Sequence, residues 1–333
     1  MTRVFSGMQP SGGLHLGNYL GALVNWVRMQ DTADVTYCIV DLHAITAGHD
    51  PAVLAERTLG LATEFLAAGV DPQRSTLFVQ SHLGDIHGEM TWLFSAVTGV
   101  GELQKMPQFR EKSERAEGRH VQVSAGLLTY PILQTSDILL YDADEVPVGE
   151  DQRHHIELAR DIGGRFNHRF GDVFVLPRAI FPPAAARVMD LQDPTAKMSK
   201  SADSDKGVIN LLDDPDRIMK KVRSAQTDSG REVAWDPRDK AGISNLLDIM
   251  AAATGREVDD LVGEYADSGY GAFKLAVGEA VVEMLRPLQA RHAELVEDPA
   301  EMRRLLSDGA GKARAVSAPV LARAKDAMGF LSA

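Results

Sequence analysis

The sequence predicts an α/β protein: a Rossmann-like parallel sheet with a helical insertion, followed by an all-helical C-terminal part. Three observations carry this. Short apolar strand patterns alternate with amphipathic helix patterns up to about residue 80, which is the pattern of βαβ units. A glycine-rich polar loop, Gln9 to Asn18, sits where the first strand pattern gives way to a helix pattern. Beyond Asp213 nearly all of the chain reads as helix.

The elements follow in order. Arg3 to Ser6 reads as a strand, Leu16 to Met29 as a helix, Val35 to Val40 as a strand, Pro51 to Ala68 as a helix and Ser75 to Val79 as a third strand. From Glu89 to Phe166 the pattern is helical, broken by the strand-like Glu145 to Val148. A sheet pattern returns at Val173 to Leu176 and leads through Arg187 to Met189 into a lysine-bearing loop. Asp213-Asp-Pro-Asp216 offers a cap and then a proline in the first turn, a helix start. Longer helices are expected at Tyr270 to Val296 and Pro299 to Met328. The expected organisation is a Rossmann-like domain over 1–205, with its helical insertion at about 85–170, and a helical domain over 206–333. Parallel sheets bind ligands beyond the carboxyl ends of their strands, where Gln9 to Asn18 and Asp41 to His43 fall.

Composition narrows the function. The 333 residues are 44% hydrophobic and 25% charged, as in ordinary soluble globular proteins. No apolar run is long enough to span a bilayer, and the first residues lack a signal-peptide core, so no membrane partner is expected. The single cysteine, Cys38, excludes an internal disulfide framework, and a reducing, cytoplasmic compartment is expected. A net charge of −12 argues against a generic nucleic-acid coat but permits a local basic face. Arg303, Arg304, Lys312, Arg314, Arg323 and Lys325 crowd the C-terminal stretch, and Lys220, Lys221 and Arg223 form a smaller cluster. Charge alone reads both as solvated helix faces. The adjacent His154 and His155 cannot share a helix face, and no protein metal site is expected.

Four segments carry chemistry. The loop from Met8 to Asn18 has glycines at 12, 13 and 17, which allow a ligand close to the main chain at a helix start, where N–H groups attract phosphate. His15 and Asn18, three apart, bring hydrogen-bonding groups to one face; the alternative is a turn with a capping asparagine. Lys197-Met-Ser-Lys-Ser201 places two lysines and two hydroxyls in one short loop, suited to a triphosphate and to charge developing on departing pyrophosphate. In Gly149-Glu-Asp-Gln152 the carboxylates either cap a helix or grip ribose hydroxyls. Tyr130, Gln134 and Asp137, at i, i+4 and i+7, stack on one helix face that is either surface or pocket lining. If buried, an ionised Asp137 accepts only, and an indole N–H would complement it.

Together these residues resemble the class I aminoacyl-tRNA synthetases, and within them the bacterial tryptophanyl-tRNA synthetases, over essentially the whole chain. Phe5 to Gly12 with Gly17-Asn18 is similar to that family's HIGH motif, and Lys197 to Ser201 to its KMSKS loop. Val40 to Thr46, Val146 to Gln152 and Gly242 to Leu247 are also similar to family segments. The resemblance implies a HUP-type core that activates L-tryptophan with ATP, the Mg2+ being carried by the nucleotide, and then transfers it to tRNA(Trp). It further implies a homodimer with contacts in the insertion, and anticodon binding by the helical domain. By the same resemblance, Gln9, Pro10, Ser11, Gly17, Asn18, Gly149, Glu150, Asp151, Val188, Lys197, Met198, Ser199, Lys200 and Ser201 would hold ATP. His15, Asn18, Lys112, Lys197 and Lys200 would be catalytic. Phe5, Gly7, His43, Tyr130, Asp137, Val148 and Gln152 would form the tryptophan pocket, with Asp137 accepting from the indole nitrogen.

The chain departs from the family pattern at Leu42, usually glutamine, at Gln134, usually methionine, and at Thr135-Ser136, usually alanines. His15 replaces a common threonine, and Glu114 to Gln122 is longer than the typical loop. These departures keep an auxiliary paralogue of altered amino-acid affinity among the alternatives. A tyrosyl-tRNA synthetase, a small-molecule nucleotidylyltransferase and a non-catalytic tRNA-binding paralogue are the others.

Overall fold

The computed structural model describes residues 1–47, 49–118, 123–181, 188–199 and 205–331. In chain order, β1 (Arg3–Met8) leads to α1 (Leu16–Asn18), which passes through a π-helical turn (Tyr19–Leu23) into α2 (Val24–Met29). Next come β2 (Asp34–Ile39), α3 (Asp41–Ala44), α4 (Leu54–Ala67) and β3 (Thr76–Val79). The insertion holds α5 (Gly84–Ser95), α6 (Val100–Gln104), α7 (Pro107–Gly118) and α8 (Ala125–Leu139), before β4 (Glu145–Pro147), α9 (Arg153–Phe170) and β5 (Arg178–Ile180). The remainder is helical: α10 (Pro215–Arg223), α11 (Ala241–Thr254), α12 (Val258–Tyr265), α13 (Gly269–Leu295) and α14 (Pro299–Met328).

The sheet is parallel in the order β3-β2-β1-β4-β5, so the fold is the expected Rossmann-like core. Successive side chains on a strand point to opposite faces, and the apolar residues sort accordingly. Val4, Val35, Tyr37, Ile39, Leu77 and Val79 meet Trp26, Leu61 and Phe65 and the helices α10, α11 and α13 on one face. Phe5, Cys38, Val40 and Phe78 meet α5, α8, α9 and the end of α14 on the other. The C-terminal helices therefore share their core with the sheet.

One strand is displaced from the expected place. Val173 to Leu176 is not a strand, because Asn167 captures its backbone: Oδ1 accepts from Val173 N (3.1 Å) and Phe174 N (2.9 Å), and Nδ2 donates to Phe174 O (2.8 Å). The ladder resumes only at β5. The basic clusters are not merely solvated faces either. Arg314 pairs with Asp85, Arg323 with Asp142 and Lys325 with Glu89, tying α14 to the sheet and insertion. Lys221 is 4% exposed and pairs with Asp213 at 2.7 Å. Among the described residues no helix is long and apolar enough to cross a membrane.

α14 lies against the edge strand β3 so closely that a Cβ on Gly309 would fall 1.8 Å from Leu77 O. Gly311, two residues on, has open space around it. Gly309→Ala should destabilise by about 1–3 kcal/mol or more through overpacking. Gly311→Ala should stabilise by up to about 1 kcal/mol through helix propensity. Urea unfolding of both variants checks the contrast; equal effects would contradict the docking of α14.

Candidate active site

The first loop is held from three sides. Leu14 N donates to the buried Glu64 carboxylate (2.7 Å). Leu16 N donates to Ile209 O (2.8 Å), and Leu211 N donates to Leu14 O (2.9 Å). His15 and Asn18 form a reciprocal cap: Asn18 N donates to His15 Nδ1 (3.3 Å), and His15 N donates to Asn18 Oδ1 (3.1 Å). The pair therefore does not offer all of its polar atoms to a ligand, as the spacing alone suggested. With Nδ1 accepting, the ring proton sits on Nε2.

The lysine loop arrives beside it. Met189 pairs with Lys197, and Met198 N donates to Val188 O (3.1 Å). Asn245 of α11 holds Met189 by both ends, its Oδ1 accepting from the N–H (2.8 Å) and its Nδ2 donating to the carbonyl (3.1 Å). Met198 is buried against Gly17. Lys200 and Ser201 lie outside the described residues, as does the Lys112 side chain on α7.

Glu150 and Asp151 form a 3-10 turn with no side-chain cap. Glu150 instead grips Arg153 at 2.8 and 3.0 Å, and Asp151 accepts from Gln152 Nε2 (2.8 Å). Both carboxylates stand exposed.

Two cavities open at the ends of β1 and β4. The larger, about 740 Å³, is lined by Gln9, Ser11, His15, Gly17, Asn18, Gly149, Glu150, Asp151, Val188, Lys197, Met198 and Ser199, with Asn25, Trp26 and Phe181. Of the described residues expected around ATP, Pro10 is buried and lines neither cavity. The smaller, about 400 Å³, is lined by Phe5, Gly7, His43, Tyr130, Asp137, Val148 and Gln152, all seven of the residues expected there. Gln9, Val148 and Gly149 belong to both. A Cβ on Gly7 would meet Val40, another residue lining the smaller cavity, at 2.9 Å.

The polar face of α8 is pocket lining, not surface: Asp137 is 1% exposed. Its Oδ2 accepts from His43 Nε2 (2.7 Å), and its Oδ1 accepts from Gln80 Nε2 (2.6 Å) and His87 Nδ1 (2.7 Å). Burial works to raise its pKa, but the hydrogen bonds and charges of His43 and His87 outweigh this and bring it down to about 2. Burial pushes the Tyr130 hydroxyl up to about 12, beside His155 Nε2 at 3.0 Å. Sequence reasoning missed Gln80, His87, Gln108 and Asn245. Gln80 directly follows β3 and His87 lies in the first turn of α5, a stretch that no polar stripe marked. Gln108 lines the smaller cavity and donates to Asp151 O (2.8 Å). Asn245 was visible only as part of the Gly242 to Leu247 similarity.

A parallel sheet with two joined cavities at its switch point, one bearing the glycine and lysine loops, defines a nucleotide-dependent enzyme of the class I synthetase type. The chain belongs to the family of class I tRNA synthetases (W and Y), whose model matches residues 1–286. It is 50% identical over 332 residues to a protein of Streptomyces coelicolor named tryptophan–tRNA ligase 1, covering 99% of this chain and 98% of that one. It is also 50% identical to the tryptophan–tRNA ligase of Mycobacterium leprae, covering 99% and 97%. Among solved structures, tryptophanyl-tRNA synthetase from Mycoplasma pneumoniae matches with a TM-score of 0.89 at 35% identity, covering 100% and 99%. The Campylobacter jejuni enzyme complexed with ADP and tryptophan matches with a TM-score of 0.84 at 32% identity, covering 99% and 100%.

Asp137 is held below its ordinary value of 3.8, so its ionised form contributes stability that is complete above about pH 4 and is lost as pH falls toward 2. The stability gap between the protein and its Asp137→Asn variant should therefore narrow from pH 5 to pH 3 in urea unfolding. A constant gap would contradict an ionised, buried carboxylate.

Proposed function

We propose that this chain is a tryptophan–tRNA ligase, which activates L-tryptophan with ATP and transfers it to tRNA(Trp). The observation that carries this reading is the pair of joined cavities: phosphate-handling loops line one, and an ionised Asp137 lies in the other. A carboxylate has about four acceptor positions. Three donors already occupy Asp137, so one acceptor position remains, on Oδ2. An indole N–H donates once and carries no lone pair that needs a partner.

In this reading tryptophan occupies the smaller cavity, with its ring toward Asp137 and its carboxylate toward the Gln9 and Gly149 rim. ATP occupies the larger cavity with the Mg2+ it carries. The tryptophan carboxylate oxygen attacks the α-phosphorus; a new P–O bond forms as the bond to the β-phosphate's bridging oxygen breaks, and pyrophosphate leaves. No protein nucleophile is required, because alignment and charge stabilisation supply the rate. Lys197 meets the phosphate charge beside the His15–Asn18 cap, Glu150 and Asp151 face the ribose, and Lys112 and Lys200 are assigned to the phosphates by the resemblance alone. The assignment of 1–205 as the catalytic domain, and of 206–333 as the domain that binds the tRNA anticodon, belongs to the same reading, as does the cytoplasmic setting of tRNA charging. A homodimer joined through the insertion is supported by Trp92 and Val100, which are 75% and 59% exposed there.

ATP–pyrophosphate exchange tests the reading. Exchange should depend on tryptophan among the standard amino acids, and exchange driven chiefly by tyrosine would overturn it. Asp137→Asn should raise the tryptophan KM by about 10- to 100-fold, the usual scale for a lost charged hydrogen bond, with the ATP KM nearly unchanged. Equal rises in both would contradict the pocket assignment. Lys197→Ala should lower kcat by about 10²- to 10³-fold, as loss of an electrostatic stabiliser does, with little change in the tryptophan KM. An unchanged kcat would remove Lys197 from the chemistry.

A further inference from the structure

His87 lines neither cavity and is fully buried at 0% exposure. It nevertheless joins two groups that matter to the smaller cavity. Its Nδ1 meets Asp137 Oδ1 at 2.7 Å, and its Nε2 meets the Tyr141 hydroxyl at 2.9 Å. Tyr141 in turn stacks on the pocket residue Phe5, with ring centroids 5.3 Å apart and planes inclined by 12°.

The proton positions follow from this chain. An ionised carboxylate cannot donate, so the proton between His87 and Asp137 belongs to Nδ1. With a single proton on the ring, the bond from Nδ1 leaves Nε2 as an acceptor, and the Tyr141 hydroxyl is placed to donate to it. The bond at one ring nitrogen thus selects the tautomer at the other. Gln80 is fixed in the same way: its Oε1 accepts from Leu42 N (3.1 Å), which turns Nε2 toward Asp137. With both acceptor sites of Oδ1 filled, the carboxylate cannot rotate to meet a ligand with that oxygen. Its one remaining acceptor position is left on Oδ2.

We propose that His87, with its tautomer set by Tyr141, is a positioning residue for amino-acid selection: it fixes the Asp137 carboxylate so that a single acceptor position faces the substrate's ring N–H. The proposal rests on the tryptophan-activation reading above. It goes beyond that reading in assigning selectivity to a residue that never touches the substrate.

The test compares tryptophan with its benzothiophene analogue, in which sulfur replaces the ring N–H, by pyrophosphate exchange. His87→Leu should raise the tryptophan KM about tenfold, the scale of one lost charged hydrogen bond, while the ATP KM and kcat stay within about threefold. The preference for tryptophan over the analogue should fall by a similar factor, because only the N–H substrate uses the fixed acceptor. His87→Asn, which can still donate near the Nδ1 position, should recover part of the preference. Tyr141→Phe keeps the stack on Phe5 and removes only the hydroxyl; it should lower the preference about threefold, and it decides the matter if His87→Leu does not fold. Equal losses for both substrates, or an unchanged preference in the folded variants, would overturn the proposal. If the unaltered enzyme gives no tryptophan-dependent exchange, the activation reading fails and the positioning proposal falls with it. If it exchanges normally while the variants keep their preference, the positioning proposal alone fails.

Discussion

The backbone pairing of Leu14 to Leu16 with Ile209 to Leu211 is the constraint on which the active site depends. It fastens the glycine loop at the start of the chain to the segment that leaves the lysine loop. Main-chain hydrogen bonds make this junction, while the side chains of Leu14, Leu16, Ile209 and Leu211 are buried in the core behind it. The junction is itself secured from behind. Lys221 donates to Val208 O (2.6 Å) and Asp213 (2.7 Å), and Gln289 of α13 donates to Leu211 O (2.7 Å) and Asp213 O (2.9 Å). A buried ammonium is tolerable only when fully paired, so the Lys221 contacts fix where residues 208 to 213 can lie. The C-terminal helices are therefore part of what shapes the catalytic cleft.

Around that junction the sheet supplies the rest. β1 lies between β2 and β4, and the chain leaves the two neighbouring strands β1 and β4 toward opposite sides. That divergence opens the crevice in which both cavities form. The overall charge of −12 does not prevent an anionic ligand from binding there. The local field of helix-start N–H groups and Lys197 acts over a few ångströms, while distant carboxylates are screened beyond a Debye length. On α14, by contrast, several of the cations that made the C-terminal stretch look basic are bound to Asp85, Glu89 and Asp142. They act as fasteners of the fold more than as an open basic face.

Much of this was legible in the chain because strand and helix periodicity differ and because the two loops have distinctive composition. The strands β1 to β4 and both long C-terminal helices fall where their patterns lie. What misled was local capture of backbone groups by side chains. Asn167 takes the N–H groups of Val173 and Phe174 out of the ladder, and the His15–Asn18 cap uses atoms that spacing alone would assign to a ligand. The face of Tyr130, Gln134 and Asp137 was ambiguous for another reason. Periodicity says which residues share a face, and only packing says what covers it. Gln80 and His87 left no such trace, since each earns its role through a partner far away in sequence.

The arrangement around Asp137 also bears on the choice between the two aromatic amino acids that this family's members use. A tyrosine hydroxyl could donate to Oδ2 much as an indole N–H does, so the charge alone does not discriminate. The difference lies in what the ligand leaves unpaired. The hydroxyl oxygen carries lone pairs that need a donor, and His43, Gln80 and His87 are already committed to the carboxylate. An unpaired buried acceptor costs about 1–3 kcal/mol, a discrimination of roughly ten- to a hundredfold. Indole brings no such lone pair. Selectivity on this account comes from three donors committed to Asp137 before the substrate arrives. It holds only while all three keep their geometry and the Gln134 amide, which lines the same cavity, stays clear of the ligand's ring end.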